Sequence, residues 1–131
     1  MKDIMVEDFQ DLVSELLTRH RSILDQITKF QDSNSRVNRA IVKAATNCGC
    51  IRIDGKRQSV PESISFEELQ KHMDTHVRGE LCPNCREIIE KEMGRNIFYL
   101  TSLCNTLDLS LYDILIKEKD SLITLGRFHL R

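Results

Sequence analysis

The sequence predicts an all-α protein, a bundle of about five helices forming one domain over residues 1–131. Two observations predict it. Aromatic residues make up 5% of the chain and Trp is absent, so the core is drawn mostly from Leu, Ile, Val and Met, which suits packed helices better than a sandwich or barrel. Apolar residues also recur three and four apart over most of the chain, as in helices with one buried face. At 131 residues the chain is long enough to bury a core without a metal.

Phe9, Leu12, Val13, Leu16, Leu17, Ile23, Leu24, Ile27 and Phe30 mark a first helix from about residue 4 to 31, with His20 on the same stripe. The polar run Gln31-Asp32-Ser33-Asn34-Ser35 is expected to end it and to cap a second helix over 36–47, with Val37, Ile41, Ala44, Ala45 and Cys48 inward. Ile51-Arg52-Ile53 before Asp54-Gly55 reads as a short strand entering a turn, and 54–63 as a surface loop. Ser65 and Glu68 fit a capping box for a short helix reaching about His76, with Gly79 as its stop. A long helix follows over about 85–106, in which Gly94 costs about 1 kcal/mol against Ala unless something packs closely there. Ser110 caps a last helix from Leu111 to about Leu122, and residues from Gly126 form a tail.

A net charge of −1 gives no overall pull toward nucleic acid or membrane. The acid-bearing start MKDIMVEDFQDL lacks the apolar run of a secretory signal. No segment approaches the ~18 apolar residues of a membrane span. The expectation is a cytoplasmic protein with no membrane partner, where paired cysteines bind metal or do redox chemistry more often than they form structural disulfides.

Four of the five cysteines form two close pairs, Cys48-Gly49-Cys50 and Cys82-Pro83-Asn84-Cys85, with 31 residues between them. Four thiolates can close tetrahedrally on one soft ion, and zinc in a structural site is the leading expectation. Iron accepts the same ligands. Gly49 lets the first turn tighten, Pro83 and Asn84 suit a knuckle whose amides bond to the thiolates, and the following helix favours negative charge at its start. The result would be a zinc-knuckle staple joining two distant stretches of chain. The alternatives are a redox dithiol at Cys82 and Cys85, for which the preceding strand of a βαβ unit is missing, or plain buried cysteines. Cys104 falls on an apolar helix face and reads as core. His72 and His76, four apart on an expected helix, are a further candidate ligand pair, although four cysteines already complete a tetrahedron.

Arg36, Arg39 and Lys43 share one helical face, and between 36 and 57 there are six basic residues against one acid, Asp54. The plain reading is a solvated face. The functional one is a patch for an anionic ligand, nucleotide or nucleic acid.

The run Glu90-Lys91-Glu92-Met93-Gly94-Arg95-Asn96-Ile97-Phe98-Tyr99-Leu100, with Leu103 to Leu111 after it, resembles the MazG-like all-α nucleotide pyrophosphohydrolases over about the C-terminal third. Arg36 to Lys43, Asn47 to Cys50 and Gly79 to Glu87 are similar to a small uncharacterised bacterial family with a Cys-x-Cys…Cys-x-x-Cys cluster, which implies no activity. The first resemblance implies a helical scaffold, a homodimer and Mg²⁺ held by carboxylates on facing helices. Here Arg95 stands where that pattern has an Asp, and the 36–47 helix contains no acid. Glu87, Glu90 and Glu92 are the carboxylates left for an enzyme. The expectation is therefore a non-catalytic, zinc-stabilised binding or regulatory protein. The alternatives are a Mg²⁺-dependent nucleoside triphosphate pyrophosphohydrolase and a nucleic-acid-associated zinc protein.

Overall fold

The computed structural model describes residues 4–126, and the expected tail lies, from 127 onward, outside them. Five helices and a two-stranded sheet make up the described chain: α1 (Ile4–Leu16), α2 (Ile23–Lys43), β1 (Ile51–Ile53), α3 (Phe66–His72), β2 (Val77–Gly79), α4 (Pro83–Thr106) and α5 (Leu111–Leu125). The helical fold expected from periodicity is borne out, though several helix ends fall elsewhere than expected. It packs as two compact units, one of residues up to Arg36 together with those from Glu92, the other Val37–Lys91.

In the first unit the expected 4–31 helix is broken after Leu16, although neither Gly nor Pro is near. Side chains take over the backbone's hydrogen bonds at the break. Arg21 Nη1 donates to the Leu17 carbonyl at 2.9 Å, and Gln26 Nε2 donates to the Arg21 carbonyl at 2.9 Å. Ser22 starts α2, its carbonyl accepting from Gln26 N at 3.0 Å and its Oγ from Leu24 N at 3.3 Å.

The expected break at Gln31–Ser35 is absent, and α2 runs straight through it. There the polar side chains bond within helical reach or to α4 instead of capping. Ser33 Oγ donates to Phe30 O at 2.7 Å, Arg36 pairs with Asp32 at 3.1 Å, and Asn96 Nδ2 donates to Ser33 Oγ and to Asn34 Oδ1.

The interior of this unit is part polar: Gln26, Ser33, Thr101 and Ser102 are buried alongside Val13, Leu17, Cys104 and Leu111. Each of these four polar side chains is bonded, as burial requires. Gln26 exchanges hydrogen bonds with Thr106 at 2.7 and 3.0 Å, while Thr101 and Ser102 donate to Ile97 O and Tyr99 O. Gln10 ties α1 to the connection between α4 and α5, donating to Asn105 Oδ1 and Leu109 O and accepting from Leu111 N. Ser110 caps α5 as expected, Oγ accepting from Asp113 N at 3.1 Å.

In the second unit β1 pairs antiparallel with β2, Ile51 opposite Gly79 and Ile53 opposite Val77. β2 stands where the sequence suggested the end of a helix. Its residue Gly79 has φ +84°, and a Cβ there would lie 2.5 Å from the Cys50 carbonyl oxygen, so the second strand needs glycine at this point. Ser65 occupies the cap position of α3, but its side chain makes no cap hydrogen bond, and the helix ends at His72.

The loop before α3 is tied to the segment after it. Gln58 exchanges two 2.9 Å bonds with the Asp74 backbone, and Asp74 binds Arg78 through both carboxylate oxygens, at 2.6 and 3.0 Å. The bonded Arg78 guanidinium holds the Asp74 carboxyl well below the usual carboxylate range. The unit's small core is Ala44, Ile51, Cys85 and Ile89.

Candidate metal centre

The four paired cysteines meet in the second unit. Their Sγ atoms all lie within 4.8 Å of one another. Cys48 Sγ and Cys82 Sγ are 3.8 Å apart. A tetrahedron of metal–thiolate bonds of about 2.3 Å has edges of about 3.8 Å, so four Sγ atoms gathered this closely could hold one metal ion with small adjustments. All five cysteines of the chain are free thiols.

Each pair is placed by a local backbone device. After Lys43 the α2 helix widens into a π-turn, Ala44–Cys48, closed by Gly49 N donating to Ala44 O at 2.9 Å. Gly49 sits in the left-handed region, φ +80°, and turns the chain so that Cys48 and Cys50 flank it. Cys50 leads directly into β1, and its Sγ lies 3.8 Å from the Ala44 carbonyl.

The second pair is a helix start with sulfur as the cap. Cys82 precedes Pro83, which opens α4, and Cys82 Sγ accepts from Cys85 N at 3.3 Å. This is the amide-to-sulfur bond expected of a knuckle, and it is the main cause bringing the Cys82 thiol down to about 7. Cys85 goes the other way, pushed up to about 12 by its contact with Cys82 and then by burial. Four thiols this close cannot all ionise unaided, because each thiolate raises the next. A divalent ion removes that conflict and must displace the remaining protons to do so. The site is graded in exposure, from exposed Cys48, through half-buried Cys50 and Cys82, to Cys85 in the core.

The remaining candidates stay apart from this cluster. His72 ends α3, and His76 lies beyond it with φ +61°, so they do not share a helix face. Glu87 and Glu90 are exposed on α4, Glu87 beside Lys91 at 3.8 Å. Glu92 is half-buried, with Oε2 lacking a hydrogen-bond partner. Among the described residues, the four cysteines are the one group of three or more His, Cys, Asp or Glu gathered to hold a metal. Arg36, Arg39 and Lys43 are exposed along α2, and Arg36 is already paired with Asp32. Cys104 is buried, 3% exposed, and burial raises its thiol.

Sequence reasoning missed β2 and the Asp74–Arg78 clamp. The available signal was Val77-Arg78-Gly79 after a polar turn, with Gly79 mistaken for a helix stop.

Fold and site together define a mostly helical protein with a four-thiol cluster suited to a metal ion. Comparison with protein-family models, with curated proteins and with solved structures returns no match. Among the described residues, no helix is long and apolar enough to cross a membrane.

Proposed function

We propose that this chain is a non-catalytic binding or regulatory protein in which Cys48, Cys50, Cys82 and Cys85 hold one structural zinc ion. The carrying observation is the convergence of four Sγ atoms within 4.8 Å from segments 31 residues apart, with one ligand inside the core. A closed four-cysteine set leaves no open position for substrate, which favours a structural over a catalytic ion. The carboxylates that a MazG-like pyrophosphohydrolase would use for Mg²⁺ do not form a cluster, which supports reading the scaffold as one that binds rather than hydrolyses.

The chain pairs with a second copy through its first unit, where Met5, Leu12 and Leu16 of α1, Ile97 and Leu100 of α4, and Leu115 and Leu122 of α5 are each at least 40% exposed. Elemental analysis of the untagged protein tests the metal reading. About one zinc per chain supports it, iron corrects the ion, and no metal defeats it. Magnesium-dependent pyrophosphate release from nucleoside triphosphates, lost in Glu92→Ala, would replace the non-catalytic reading with the enzymatic one. A light-scattering mass equal to one chain would refute the dimer.

A further inference from the structure

The break between α1 and α2 opens a cleft of about 270 Å³ in the first unit, walled on its other side by the middle of α4. Three basic side chains line it, Arg19, His20 and Arg95, and no acid does. The chain has 20 acids against 19 Lys and Arg, and elsewhere Arg36 and Arg78 are paired to Asp32 and Asp74. Among the described residues none of Arg19, His20 and Arg95 makes an ion pair or side-chain hydrogen bond, so the two guanidinium groups leave uncompensated positive charge at one concave place, with the His20 imidazole beside them.

Two of the chain's few aromatics line the same cleft. Phe98 and Tyr99 meet edge to face, ring centres 5.2 Å apart at 84°, both half-buried. Buried Leu17 also lines it. The basic side is also held in shape, because His20 sits within the connection that the Arg21 and Gln26 side chains secure. Guanidinium groups suit planar, bidentate recognition of phosphate and carboxylate, and an aromatic pair presents faces and edges on which a ring packs. The volume is below the usual range for drug-sized ligands and suits one ring with one anionic group.

We propose that this cleft binds a small aromatic anion, a single ring bearing a phosphate, phosphonate or carboxylate, with Arg19, His20 and Arg95 on the anion and Phe98 and Tyr99 on the ring. The lining shares no residue with the four cysteines or with the Arg36, Arg39 and Lys43 stripe, and the proposal does not depend on the identity of the metal.

The test is amide chemical-shift mapping of the full, metal-loaded chain in physiological salt, with phenylphosphonate, benzoate, inorganic phosphate and benzyl alcohol as separate probes. Saturable shifts at His20, Arg95, Phe98 and Tyr99 with phenylphosphonate or benzoate are expected, and the tighter of the two identifies the anion. Inorganic phosphate and benzyl alcohol, each offering half of the chemistry, should bind at least about tenfold more weakly. Arg95→Gln and Arg19→Gln, both at exposed positions, should each weaken the aromatic anion by about tenfold or more, since each removes a charge-assisted contact. Unchanged amide signals in the first unit away from the cleft, at Gln10, Leu111 and along α5, would verify folding of each variant. The proposal is overturned if neither aromatic anion saturates below about 10 mM, if shifts spread away from the cleft, or if both variants bind as the parent does.

Discussion

Cys85 belongs to two structures at once, the thiol cluster and the apolar packing of Ala44, Ile51 and Ile89. Cys48 belongs only to the first and faces solvent. Both Cys48→Ser and Cys85→Ser should therefore abolish metal binding, yet differ once the metal is gone. In metal-free protein, Cys48→Ser should be nearly neutral in urea unfolding, whereas Cys85→Ser should lose about 1–3 kcal/mol by burying a hydroxyl in apolar surroundings. Cys104→Ser should keep the full metal content, as its sulfur lies outside the cluster. Asp74 offers a separate test through pH. Its folded carboxyl is lowered, so its contribution is complete above the ordinary carboxylate pKa of about 4 and is lost as pH falls through the lowered value. The stability advantage of the parent over Asp74→Asn, followed by thermal melting across pH, should be flat from neutral to about pH 4 and shrink below it. An advantage that grew toward acid would contradict the Arg78 pairing.

Helix content was legible in the sequence because a buried stripe imposes a three-and-four spacing that survives any choice of aliphatic residue. Helix ends were less legible, for a physical reason visible in α1 and α2. Ser33 and Asn34 look like a terminus because such side chains compete for the backbone, but here they bond to Phe30 O and receive Asn96, so nothing is left to break the helix. The true break at Leu17–Ser22 is held by Arg21 and Gln26, residues with no special preference for helix ends. The hairpin was half legible: β1 is β-branched at both ends, while β2 depends on a close backbone approach that has no periodic signature. Two glycines separate these cases experimentally. Gly79→Ala forces a Cβ against the Cys50 carbonyl at positive φ and should cost at least about 1–3 kcal/mol while weakening metal binding, both read from one denaturant series with and without metal. Gly94→Ala meets nothing within 4 Å in mid-helix and should stabilise by about 0.5–1 kcal/mol, a rise in Tm.

For the whole molecule, the two units differ in what holds them together. The first has four long helical segments and a bonded polar interior, whereas the second has a four-residue core that includes Cys85 of the thiol cluster. Chain length alone suggests that a metal is dispensable, but that length is shared between two units, and a small core on its own usually needs a staple. Stripping the metal with a chelator should make amides between 37 and 91 exchange faster than in the loaded protein, the unit staying folded but less stable, while α1 and α5 keep their protection in hydrogen-exchange mass spectrometry. Uniform protection after verified metal loss would show the second unit to be self-sufficient. The cysteine cluster was readable from residue spacing because metal ligation is a demand on residue type. The cleft at His20 and Arg95 was not, because it exists only once the helix has broken. The π-turn also bears on how this chain can vary in length. It closes its hydrogen bond with one residue more than an ordinary helical turn. Deleting Thr46 should let the helix close normally and leave Cys48 in place, whereas inserting a residue there would swing the first cysteine pair by about 100° around the helix. Homologous chains one residue shorter between Lys43 and Cys48 are therefore expected to keep the centre, and chains one residue longer to lose it.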